Sequence, residues 1–79
     1  PIDLGAARLI TPRLARMHCC LPIHSDPGQL VVAMANPLDL IALEDIELAT
    51  GLRVDPVVCT ASEVERATDR AYGKGVGTS

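Results

Sequence analysis

The chain has 79 residues, 48% of them apolar, with one Tyr and neither Trp nor Phe. That length supports one small domain with an aliphatic core, and it leaves no aromatic platform on which bases could stack. The formal net charge of −3 argues against nucleic acid or an anionic membrane surface as the main partner, because both recruit basic patches.

No apolar run approaches the roughly 20 residues of a membrane-spanning helix. The opening PIDLGAARLI lacks the charged start and apolar core of a signal peptide. Three cysteines, of which Cys19 and Cys20 are adjacent, do not form a disulfide framework and suit a reduced, cytoplasmic setting.

Residues 1–10 mix apolar and polar types around Gly5 and read as an irregular entry segment. Thr11 followed by Pro12 is a helix start, with Thr at the cap and Pro at the first helical position. The helix is expected to reach His18, with Leu14 and Met17 inward and Arg13 and Arg16 outward. Cys20 to His24 reads as a strand in which Pro22 demands an edge position or a lost ladder bond. Residues 25–28, Ser-Asp-Pro-Gly, form a turn, so this strand and the next make an antiparallel hairpin.

Leu30 to Ala35 is a strand apolar on both faces, as expected when both are covered. Asn36-Pro37 ends it, and a helix is expected to start there, with Asn36 as its cap and Asp39 adding charge to the first turn. Gly51 is placed for a left-handed helix end. Val54 to Cys59 reads as a third strand, at an edge or bulged because of Pro56, and parallel to the second because a helix links them. Thr60 and Glu63 fit a capping box for a last helix to Tyr72, whose inward stripe is Val64, Ala67 and Ala71, with Gly73 closing it. Residues 1–73 therefore form one domain and residues 74–79 have the composition of a linker. The fold class is α+β, small and α/β-like: a three-stranded mixed sheet with about three helices, ordered helix, hairpin, helix, strand, helix.

Few residues carry chemistry. His18, Cys19, Cys20, His24 and Cys59 lack CxxC or HxxxH spacing, and buried cysteine is common as a small hydrophobe. Neither a metal site nor a Cys–His nucleophile is expected from them. Asp39, Glu44, Asp45 and Glu47 spread around a helix as a solvated face rather than an acid–base pair. Free N–H groups after Asn36 could hold an anion, but capping by side chains is the simpler reading.

The order of elements, with Thr11-Pro12, Leu14-Ala15, Leu21-Pro22, Val32-Ala33-Met34, Asn36-Pro37-Leu38-Asp39, Thr50-Gly51-Leu52-Arg53-Val54, Pro56-Val57 and Tyr72-Gly73, resembles the MshEN-type N-terminal domain of type II secretion and type IV pilus assembly ATPases. The resemblance covers nearly all of residues 1–73. It implies a regulatory or docking domain without catalysis or cofactor, cytoplasmic and peripheral to the inner membrane. The partner it implies is the cytoplasmic domain of an inner-membrane secretion or pilus platform protein, with no nucleic acid and no direct membrane insertion. Family members often carry an additional preceding segment of RLGxxLxxxG type that binds cyclic di-GMP. Residues 5–10 do not match that motif, so sensing of cyclic di-GMP stands as the alternative function and as a property of the full-length parent. No GxxxxGK[ST] phosphate loop occurs either.

One helix face is left over. At about 100° per residue, Leu38, Ala42, Ile46 and Ala49 share an inward stripe. Ile41 and Leu48 then fall on another side, flanked by Glu44 and Asp45. These four residues are the candidate partner-binding site, unless residues 2–10 pack over them.

Overall fold

The structure, a computed structural model, describes residues 3–73. It contains four helices and three strands: α1 (Leu4–Ala7), α2 (Pro12–His18), β1 (Cys20–Asp26), β2 (Gln29–Met34), α3 (Leu40–Thr50), β3 (Arg53–Val58) and α4 (Ala61–Tyr72). The sheet order is β1-β2-β3, with β1 antiparallel and β3 parallel to β2. The mixed sheet is thus the expected one, and both proline-bearing strands lie at its edges. A bulge between Pro22 and His24 absorbs the irregularity in β1, where proline cannot donate to the ladder. The hairpin turn narrows to Pro27 and Gly28, and Gly28 takes φ 79°.

The entry segment is more ordered than its sequence suggests. Asp3 Oδ1 accepts from the N–H of Gly5 at 2.9 Å and of Ala6 at 3.3 Å, capping the single turn α1. Ala6 and Ala7 are buried by it, one on each side of the core. Its anchor is the chain's only tyrosine, whose hydroxyl donates toward the carbonyl oxygens of Ala7 and Ile10. A buried acceptor left without such a partner would cost free energy, so Tyr72 ties the entry segment to the end of α4.

Thr11 caps α2 as expected, Oγ1 accepting from Leu14 N–H at 3.1 Å. Its inward face differs from expectation. Ala15 is fully buried and Leu14 packs against the core, whereas Met17 is 62% exposed. Arg16 is not outward either, since it pairs with Asp69 of α4 at 2.8 Å. The helix packs against α4 as well as the sheet, and this second contact selects the face.

The start of α3 is a second correction. Asn36 Oδ1 accepts from Leu38 N–H at 3.1 Å, which makes a local turn, and Asp39 Oδ1 caps the helix through Ala42 N–H at 3.1 Å. The helix therefore begins three residues later than Pro37. Leu38 lies outside it and is 82% exposed, and Ala49 is exposed too. Ala42 and Ile46 remain fully buried, while Leu43 replaces Leu38 and Ala49 in the inward stripe. Gly51 ends the helix at φ 73°, its N–H donating to Glu47 O at 2.8 Å.

Helices cover both faces of β2. Leu30, Val32 and Met34 pack with Ala42 and Ile46 of α3, joined by Ala6, Ile10 and Ala15. On the reverse, Ala33 and Leu21 meet Val64 of α4. The reciprocal capping box of α4 is present, Thr60 N–H donating to Glu63 Oε1 at 2.9 Å and Glu63 N–H to Thr60 Oγ1 at 3.1 Å. The bond from the Thr60 backbone N–H holds the Glu63 carboxyl below the usual carboxylate range. Beside Val64, Ala67 and Ala71, α4 also buries Thr68, whose hydroxyl donates to Val64 O at 2.7 Å. The linker expected at 74–79 lies outside the described residues.

Candidate functional site

The outer side of α3 carries a run of exposed apolar residues; Met17 on α2 and Val58 on β3 are exposed as well. Ile41 is 68% and Leu48 84% exposed, and Leu40 and Leu38 extend the same surface toward the helix start. Residues seven apart on a helix return to nearly the same direction, so Ile41 and Leu48 stand one above the other with Glu44 between them. Among the described residues, nothing of the entry segment covers them, because α1 packs along β1. Sequence reading missed Leu38 and Leu40. The exposed position of Leu38 follows from the late helix start, which the second capping residue, Asp39, could have signalled.

Asp45 has a different setting from Glu44. Its Oδ2 lies 2.9 Å from His18 Nε2, and His18 Nδ1 lies 4.0 Å from Asp39 Oδ2. The end of α2 is thereby fixed against both the cap and the middle turn of α3, across 27 residues of sequence. Glu47 accepts from Val54 N–H at 3.0 Å and so braces the start of β3. Glu44 is exposed, and no ion pair to it occurs among the described residues.

The scattered thiols and histidines do not converge. Among the described residues no group of three or more His, Cys, Asp and Glu is placed to hold a metal ion. Cys20 is fully buried in β1, and burial, then its neighbours Cys19 and Asp39, pushes its thiol up to about 12. Burial and then Glu65 raise the Cys19 thiol as well. Such thiols stay protonated near neutral pH and make poor nucleophiles. Cys59 follows β3 and packs with Cys19 against the cluster of Leu21, Ala33 and Val64, whereas Cys20 lies in the cluster on the other face. His24 pairs with Asp26 at 3.0 Å on the surface. Of the N–H groups after Asn36, that of Leu38 is bonded to the Asn36 side chain and that of Ala42 to Asp39, whose carboxylate occupies the helix start.

A small groove of about 170 Å³ lies between α2 and α4, lined by Ala15, Arg16, Cys19, Val64, Glu65 and Thr68. Pockets that enclose organic ligands run to about 300–1,000 Å³, so this groove is too small to enclose one. No helix of the described residues is long and apolar enough to cross a membrane.

Comparison with known proteins gives a consistent result. The model of the family described as the MshEN domain matches residues 1–78. The chain is 34% identical over 79 residues to the type IV pilus assembly ATPase PilB of Thermus thermophilus, covering 94% of this chain and 9% of that protein. It is 36% identical over 62 residues to the type II secretion system protein E of Xanthomonas campestris, covering 78% of this chain and 11% of the relative. The chain thus spans about a tenth of these relatives' length. Among solved structures, MshE with cdg superposes with a TM-score of 0.82 at 26% identity, covering 90% of this chain and 52% of the other. The N-terminal domain of XpsE superposes with a TM-score of 0.75 at 27% identity, covering 89% and 47%.

Proposed function

Because the chain belongs to the MshEN domain family, within the non-catalytic N-terminal region of secretion and pilus ATPases, we propose that it is a regulatory domain of such a motor. In its parent it takes part in the response to cyclic di-GMP. The observation that carries this reading is the close likeness to MshE, solved with cdg, at a TM-score of 0.82. The chain spans about half of that structure, and its own α2–α4 groove of about 170 Å³ is too small to enclose a dinucleotide. Arg16, the cation lining that groove, is paired with Asp69. The domain would therefore supply a wall or a packing surface, with the full site formed in the longer parent. Calorimetry tests this directly. The parent is expected to bind cyclic di-GMP at micromolar affinity, about −8 kcal/mol, while the isolated chain gives no comparable heat. A parent with no binding at about 1 mM ligand, a regime of only about −4 kcal/mol, would overturn the reading.

A second reading is favoured by the exposed outer face of α3. Ile41, Glu44, Asp45 and Leu48 would dock the domain onto the cytoplasmic domain of an inner-membrane platform protein, at the cytoplasmic side of that membrane. The mechanism would be positional, since a folded module on a tether raises the local concentration of the motor at its platform. The two readings are compatible, as a ligand acting on one side of a domain can leave the other free to dock.

A further inference from the structure

We propose that the outer face of α3 takes a basic-flanked apolar segment of a protein partner, and that it rejects both an anionic membrane and a second copy of this chain. This rests on the docking reading above and adds the chemistry of the occupant.

The charges carried by α3 and its cap are of one sign. From Leu38 to Gly51 the sequence holds four acidic residues, Asp39, Glu44, Asp45 and Glu47, and no Lys or Arg. Asp39 and Glu47 are bonded to backbone N–H groups, which bring no formal countercharge. Asp45 meets His18, and no Lys or Arg pairs with any of the four among the described residues. The last turn of α3 adds the negative end of the helix dipole. Within this field stand Ile41, Leu48, Leu40 and Leu38, each more than half exposed. Apolar side chains gain by being covered, and an occupant carrying positive charge gains further from the acidic rim, whereas one carrying negative charge is repelled.

That requirement selects among occupants. A symmetric contact between two copies would place the same acidic surface against itself. Anionic headgroups would be repelled in the same way. Addition of a strand at the neighbouring sheet edge is also disfavoured. Arg53 and Cys59 direct their N–H groups toward β2, so by alternation Val54, residue 56 and Val58 face the open edge. The Val54 N–H is taken by Glu47 and Pro56 has none. The partner that fits best engages through side chains laid on the helix, with apolar residues over Ile41 and Leu48 and Lys or Arg opposite Glu44.

The test uses two synthetic helical peptides sharing one leucine stripe, one flanked by Lys and the other by Glu, titrated into the isotope-labelled chain and followed by amide chemical shifts. The Lys peptide is expected to perturb residues 38–51 selectively and to lose about tenfold in affinity at high salt, as screened surface charges should. Glu44→Lys should weaken it several-fold without altering the melting temperature, and Ile41→Ser with Leu48→Ser should abolish it. Equal binding of the Glu peptide at the same face would overturn the charge inference and leave the docking surface standing. If neither peptide perturbs α3, both fail. Binding to phosphatidylglycerol vesicles, or dimerisation through α3 in sedimentation, would also overturn the proposal.

Discussion

Gly51 shows what one backbone angle contributes. Its φ of 73° lies in the left-handed region, and a Cβ built there would meet nothing within 4 Å. The cost of a side chain is therefore conformational rather than steric, and Gly51→Ala is expected to lower stability by about 1 kcal/mol. Equilibrium denaturation reads it, and a loss near zero would mean that the helix end relaxes. The same conformation occurs at Cys19, φ 49°, where only one residue separates α2 from β1. The ionisable groups nearby share one sign. Cys20, Cys19 and Tyr72 all have their protonated forms favoured by burial, with Cys20 pushed up to about 12. The folded state therefore holds protons that the unfolded chain releases first as pH rises. Their contribution is fully present below about pH 9 and is lost as pH rises toward 12. Denaturation at a series of alkaline pH values should show a falling stability, with a shallower slope in Cys20→Ala; an unchanged slope would contradict the assignment.

At the scale of elements, legibility in the sequence followed the number of independent signals. The strand β2, apolar on both faces, and α4, with its reciprocal capping box and amphipathic pattern, were readable because several signals coincided. The one-turn α1 was not, because four residues are too few to show a period and its order comes from Asp3 and Tyr72. The start of α3 misled because Asn36 and Asp39 are both capping residues three positions apart. Asn36 closes a turn and Asp39 caps the helix. Asp39→Ala should then cost about 1 kcal/mol and Asn36→Ala clearly less; the reverse order in measured stabilities would restore the earlier start. The exposed face of α3 was partly legible for a related reason. Ile41 and Leu48 stood apart from Ala42 and Ile46 by helical angle alone, whereas Leu38 and Ala49 needed the true helix start and the packing of Leu43.

For the whole molecule, the architecture separates two surfaces. The sheet lies between α3 on one face and α4 on the other, so the groove beside α4 and the acidic face of α3 are on opposite sides. Contacts of α2 connect them, through Arg16 to Asp69 in one direction and His18 to Asp45 in the other. Such an arrangement suits a domain that relays occupancy on one side to a partner on the other, without taking part in chemistry. The most direct test of that role measures ATP hydrolysis by the full-length parent with and without cyclic di-GMP, before and after removal of residues 1–73. Basal hydrolysis is expected to survive the deletion while the change on adding cyclic di-GMP disappears. A response that persists undiminished in the truncated protein would contradict that role.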